Sequence, residues 1–377
     1  MEQWNDLLLG DALTLQRGFD LAERERVPGQ VPIVSSSGVT GYHNTSKVKG
    51  PGVVTGRYGT LGEVFYIDED FWPLNTTLWV KDFKGNDPRF LSFLLRTLNL
   101  AKRNAAGAVP GINRNALHLL PIRMPAPRTQ RQIAQILSAY DDLIENNTRR
   151  IKILEEMAQM LYREWFVHFR FPGHEKVRMV ESELGPIPEG WSVGRLDDAV
   201  TLQRGFDLPT AQRVPGIVPI IAATGTNGFH NESKVTGPGV VTGRSGSLGT
   251  VVFVAEDFWP LNTTLWVKQF KRSTPTHAYF LLKSLDFQTF NSGAAVPTLN
   301  RNDVHGLRTI LPLQNVLDDF NAHALSFFAL KRSLELKNKN LRTTRDLLLP
   351  KLISGEIPVE AAENGATAIE EEVALHA

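Results

Sequence analysis

The chain contains no cysteine. Disulfides, thiolate metal sites and thiol nucleophiles are therefore excluded, and an intracellular, cytoplasmic setting is expected. No apolar run approaches the roughly 18 residues needed to span a bilayer. The opening MEQWNDLLLG lacks the basic segment and apolar stretch of a secretory signal. Net charge is also nearly absent: 41 Lys and Arg against 40 Asp and Glu leave +1, with nine scattered His. That balance does not by itself announce a nucleic-acid binder. No GxxxxGK[ST], HExxH or GxSxG occurs, and no two His stand at helical metal-ligand spacing. No catalytic or metal residue emerges.

What is present is ordinary in composition and unusual in arrangement. With 377 residues, 42% apolar and 21% charged, the chain has a globular composition and room for two or three domains. QRGFDL at 16–21 returns at 203–208, FWPLNTTLWVK at 71–81 returns at 258–268, and NRN at 113–115 returns at 300–302. TGR at 55–57 and Trp4 likewise match TGR at 242–244 and Trp191. Every pair is 187 positions apart, and between Thr14 and Leu98 54 of 85 positions equal their partners without a gap. A period this long is a duplicated domain and not a solenoid unit.

Each copy has two parts. Residues 1–125 and 186–312 mix short β-rich runs, such as 52–55, 64–67 and 77–80, with Gly- and Pro-rich turns. Asp87-Pro88 and Thr274-Pro275 predict helix entries, with the first residue as N-cap and Pro in the first turn. The clustered glycines 56, 59 and 62, and their copies 243, 246 and 249, lack GxGxxG spacing, so tight turns at positive φ are expected. A long Pro- and Gly-free stretch follows each mixed part. Ile133, Leu137, Tyr140, Ile144, Asn147, Ile151, Leu154, Ala158, Leu161 and Trp165 alternate spacings of four and three, a sustained heptad seam. The second stretch offers Phe320, Ala324, Phe327, Leu334, Leu341 and Leu348, interrupted by Lys331, Asn338 and Arg345. Such helices could pack only on their own domains. Their length far exceeds the usual helix of about 11–12 residues, so pairing with each other is expected. An antiparallel pair roughly 50–60 Å long would place one domain at each end, related by a pseudo-twofold axis.

Polar residues gather on the turns. The candidates for binding are Gln16, Arg17, His43, Asn44, Lys47, Arg57, Tyr58, Thr76, Asn113 and Arg114, with their copies Gln203, Arg204, His230, Asn231, Lys234, Arg244, Ser245, Thr263, Asn300 and Arg301. Arg, Asn, Gln, Ser and Thr are the types that contact base edges or position phosphates. The alternative for each is a solvated turn residue bonded to local backbone. Thr76, beside an aromatic run, fits that structural role best.

GPIPEGW at 185–191, REWFVHF at 163–169 with FPG at 171–173, and LLPKLISGEI at 348–357 resemble the junction segments of the specificity (S) subunits of type I restriction-modification systems. The resemblance extends to about residue 358. It implies an α+β fold: two duplicated mixed α/β target recognition domains separated by two long helices that form an antiparallel coiled coil. The implied layout is a first recognition domain at 1–127, a spacer helix at 128–170, a linker at 171–190, a second recognition domain at 191–312, a second spacer helix at 313–350, and a C-terminal segment with a flexible acidic tail at 351–377. It also implies double-stranded DNA, two methyltransferase (modification) subunits and restriction/translocase subunits as partners. The chain itself would carry no cofactor, with S-adenosylmethionine, ATP and Mg on the partners. A non-catalytic coiled-coil scaffold with peptide- or glycan-binding ends is the alternative. Members of the family are expected to carry dissimilar recognition domains; here the two are close copies, so a bipartite, nearly palindromic site is expected. Fourteen basic against twelve acidic residues in 1–125 give a domain charge of only +2. So mild a charge fits reading by a few placed side chains, with partners supplying much of the grip on phosphates.

Overall fold

The computed structural model describes residues 4–102, 111–246, 248–285, 287 and 298–362. The chain divides into two compact units: residues 1–148 with 336–377, and residues 149–335. Each unit therefore holds one copy of the mixed domain and a part of each long helix.

In the first unit the strands are β1 (Trp4–Leu8), β2 (Thr14–Arg17), β3 (Val31–Ser35), β4 (Gly38–His43), β5 (Gly52–Gly56), β6 (Val64–Ile67), β7 (Trp72–Pro73), β8 (Thr77–Asp82) and β9 (Pro121–Pro125). They form a four-stranded sheet in the order β2-β8-β5-β6, a three-stranded sheet β4-β3-β7, and the antiparallel pair β1-β9. The central strand β5, GVVTG, is buried throughout, as a continuous apolar run between two neighbours requires. Short helices α1 (Leu9–Ala12) and α3 (Arg114–His118) flank the longer α2 (Pro88–Thr97). The Asp87 side chain accepts the Phe90 N–H at 2.8 Å, and Pro88 occupies the first turn, where its missing N–H costs nothing. One face of α2 then buries Phe90, Phe93 and Leu94.

The second unit repeats this plan. Its strands are β10 (Met179–Val180), β11 (Ile187–Pro188), β12 (Ser192–Arg195), β13 (Val200–Arg204), β14 (Val218–Ala222), β15 (Gly225–His230), β16 (Gly239–Gly243), β17 (Val251–Val254), β18 (Trp259–Pro260), β19 (Thr264–Phe270) and β20 (Arg308–Leu311). The sheet orders β13-β19-β16-β17 and β15-β14-β18 match the first copy strand for strand. Even the irregularity of register recurs, between Thr14 and Leu15 and between Thr201 and Leu202.

The long helices are α4 (Pro127–Tyr162) and α8 (Gln314–Ser354), with α5 (Leu196–Ala199), α6 (Pro275–Ser284) and α7 (Arg301–His305) between them. Within each unit α4 and α8 run antiparallel. In the first unit Asn147 donates to Asn338 Oδ1 at 3.0 Å, while Arg345 pairs with Asp141. In the second, Lys331 pairs with Glu155 at 2.8 Å. The three polar residues that interrupt the α8 seam are thus each answered by a polar residue of α4. Asp141 also takes Arg96 of α2 at 3.1 Å, so the helix pair and the domain share one carboxylate.

The observed elements differ from the expected layout at four places. The α-helical part of α4 stops at Tyr162, and a single π-turn (Arg163–Val167) carries the chain on to Phe169 at φ 58°. Residues 171–190, expected as a linker, hold the β10-β11 hairpin and bury Phe171 and Ile187, with Phe171 stacked on Trp191 at 5.3 Å. Helix α8 continues through Pro350 to Ser354, because Leu352 and Ile353 are buried in the first unit's core and offset the backbone bond lost at proline. Beyond it Gly355, at φ 75°, lies so close to Trp4 that a Cβ would sit 2.6 Å from the indole. Val359 is also buried, so the start of the C-terminal segment is packed against the first unit; the expected flexible acidic tail falls on residues from 363 onward, which lie outside the described residues.

Candidate nucleic-acid interface

The candidate side chains of each domain fall into two groups, and backbone contacts dictate which. The first group forms around the turn that follows β5. Gly56 must be glycine, since a Cβ there would stand 1.9 Å from the Thr60 carbonyl, and Gly59 adopts φ 81°. The turn then presents Arg57 and Tyr58, whose N–H groups both donate to the Thr76 carbonyl at 2.8 and 3.1 Å. The Arg57 carbonyl accepts from Ile112 N–H at 3.0 Å, which places Asn113 and Arg114 alongside. Ser36, in the β3–β4 turn, approaches from the other side: it is the first side chain a Cβ on Gly59 would meet. Arg17 reaches Asp20 at 3.4 Å, and Asp20 also accepts from Asn75, which ties the end of β2 to the β7–β8 turn that holds Thr76. The copy repeats these contacts, with Arg244 and Ser245 N–H on the Thr263 carbonyl at 2.8 and 3.2 Å and Arg204 3.7 Å from Asp207.

The second group lies beside the three-stranded sheet, in the loops that follow β4 and β15. Lys47 is exposed with its ammonium 5.0 Å from the Trp72 ring centroid, and Lys234 stands 4.7 Å from that of Trp259. Asn44 and Asn231 are exposed beside them.

Several candidates have local work. His43 and His230 are only 5% exposed and sit edge-on to Trp72 and Trp259. Their Nδ1 atoms accept from Val27 and Val214 N–H at 3.0 and 3.1 Å. Both are thus interior scaffolding rather than surface groups, because strand alternation turns them inward. Asn113 and Asn300 cap α3 and α7, accepting from the N–H of Asn115 and Asn302 at 2.9 and 3.0 Å. The Thr76 and Thr263 hydroxyls are buried, and what these residues offer the turn is their carbonyls. Arg17, Arg57, Lys47, Arg114 and their copies, with Gln16 and Gln203 half-buried, remain as groups able to meet a ligand.

Sequence reasoning missed Tyr42 and Phe229, whose rings are 57% and 49% exposed. Strand alternation turns the neighbour of an inward His43 outward, but the inward turn of His43 itself had first to be seen in the structure. Burial pushes His118 and His305 below the usual imidazole range. Their Nε2 atoms accept from the N–H of Leu15 and Leu202, both at 2.9 Å, as neutral rings do. Among the described residues no group of three or more His, Asp or Glu could hold a metal ion, and no helix is long and apolar enough to cross a membrane.

Residues 1–156 match the family described as type I restriction modification DNA specificity domain. The chain is similar to the type I restriction enzyme MjaIX specificity subunit of Methanocaldococcus jannaschii, 27% identical over 324 residues that cover 76% of this chain and 74% of that one. It is also similar to the type I restriction enzyme HindI specificity subunit of Haemophilus influenzae, 23% identical over 78% of this chain and 84% of the relative. In fold it resembles the crystal structure of a type I restriction-modification system S subunit from M. genitalium, with a TM-score of 0.70 and 16% identity over 93% of this chain and 96% of that one.

Proposed function

We propose that this chain, which belongs to the specificity subunits of type I restriction-modification systems, reads a bipartite and nearly palindromic DNA sequence, one half with each recognition domain. It is the recognising, non-catalytic member of the complex. The observation that carries the near-palindrome is the duplication itself: 54 identical positions of 85, matched sheet orders, and matched turns at Arg57 and Arg244. Near-identical readers call for near-identical half-sites. Helices that run antiparallel in each unit call for those half-sites to be inverted.

The two groups of side chains divide the labour by chemistry. Arg57 and Arg244 have the planar donor fork that matches guanine O6 and N7 in the major groove. Lys47 and Lys234 are compact charges suited to phosphate, which positions without specifying. The methyltransferase subunits would dock on the long helices, where Ile153, Met157 and Met160 recur at helical spacing and are 48%, 45% and 64% exposed. Restriction subunits would join that complex, S-adenosylmethionine and ATP with Mg would be bound by these partners, and the assembly would work in the cytoplasm with its DNA.

Methylation-site sequencing of the host with and without this gene tests the reading. The expected result is loss, on deletion, of one bipartite motif whose halves are close to inverted copies. Two unrelated half-sites would overturn the near-palindrome, and an unchanged methylome would overturn the function.

A further inference from the structure

The two recognition turns are alike in backbone and opposite in side-chain volume. Tyr58 bridges Gly111, and Ser245 bridges Thr298, at the same register. A Cβ on Gly111 would lie 2.4 Å from the Tyr58 ring, so this ring can stand here only because residue 111 has no side chain. In the copy both members have changed together, to a small residue on the turn and a branched one opposite. The consequence falls on the neighbouring arginine. The Arg57 guanidinium lies over the Tyr58 ring, 4.4 Å from its centroid, and its Nη2 donates to the Tyr58 hydroxyl at 3.2 Å. Arg244 has the same backbone bonds, but its neighbour is a serine and offers it no ring to stack on.

We propose that the Tyr58–Gly111 and Ser245–Thr298 exchange sets where the two half-sites differ: Arg57, held in one plane by Tyr58, demands a single base, whereas Arg244, unclamped, accepts more than one. The inference rests on the reading of these domains as DNA readers. A bidentate contact discriminates only if the donor fork is held in register with the base edge. A stacked guanidinium is so held before DNA arrives, while a free one can rotate toward other acceptors. Gly111 thereby becomes a positioning residue for specificity, acting through Tyr58 and then Arg57. Ser36, in the β3–β4 turn, adjoins Gly59 and so brings the other side-chain differences of the copies to this point: Ser35, Ser36 and Ser37 stand against Ala222, Ala223 and Thr224.

The test is methylation-site sequencing of the host with variants replacing the wild-type gene. The wild-type motif should hold one fixed base in one half whose counterpart in the other half is degenerate. Tyr58→Ser with Gly111→Thr should make the fixed position degenerate, with discrimination there falling by roughly 5- to 150-fold, the range of one bidentate contact. Ser245→Tyr with Thr298→Gly should fix the degenerate position. If the first double variant methylates nothing, the reciprocal one decides, since it adds a ring only where it removes a side chain. A bipartite motif that neither exchange alters overturns this inference alone; a methylome indifferent to the whole gene overturns the functional reading beneath it.

Discussion

His277 occupies the position that Phe90 holds 187 residues earlier. Its ring is buried against Tyr162 and Phe166, with Nδ1 2.8 Å from Ser273 Oγ. Burial pushes it down to about 3 from its ordinary 6.5. Between those two values the unfolded chain binds a proton that the native chain refuses, so stability rises with pH there. The stability is fully present above about 6.5 and is lost as pH falls through that value toward 3, by roughly 1 kcal/mol per pH unit. Replacing His277 with Phe, the residue the first copy already carries, should flatten this dependence. Denaturant unfolding at pH 7.5 and pH 5 would show it: the wild type should lose more stability than the variant, and equal losses would contradict the assignment. Tyr162, in the same cluster, is pushed up to about 12 by burial and stays neutral throughout.

The elements that organise each unit are the two long helices, and their polar seam residues act as locators. Asn338 is 2% exposed and contacts the Asn147 amide, the Ile144 carbonyl and the Thr148 hydroxyl. A buried amide partnered at one point along an apolar seam fixes register, because any slip leaves it unsatisfied. Asn338→Leu alone should therefore cost about 1–3 kcal/mol by orphaning Asn147. The double replacement of Asn147 and Asn338 by Leu should recover most of that loss. Its apolar character has a precedent in this chain, where the positions 187 residues away are Leu334 and Ile151. Thermal unfolding of the two variants checks this; a double variant no more stable than the single would show that the amides add strength and not only register. Asp141, shared by Arg96 and Arg345, performs the related task of tying α2 to the helix pair.

For the molecule as a whole, duplication makes each copy a control for the other. Transplanting residues 30–62 onto 217–249, together with Thr298→Gly so that Tyr58 keeps its space, should convert the recognised motif into an inverted repeat whose halves match at every base. Methylation-site sequencing would check it, and survival of the original asymmetry would place the determinants outside these turns. The duplication, the helix entries at Asp87 and Thr274, the paired seam and the tight glycine turns were legible in the amino-acid sequence, because repetition, capping and periodicity are local signals. The inward turn of His43, the closure of Gly355 on Trp4 and the meeting of Gly111 with Tyr58 were decided only by tertiary structure. Each joins or orients residues through neighbours distant along the chain, and a pattern read in sequence order carries no term for such contacts. That is also why the sequence could name Arg57 and Arg244 as equivalent readers, while only the packed turns show the Arg57 guanidinium stacked on Tyr58 where Arg244 has a serine beside it.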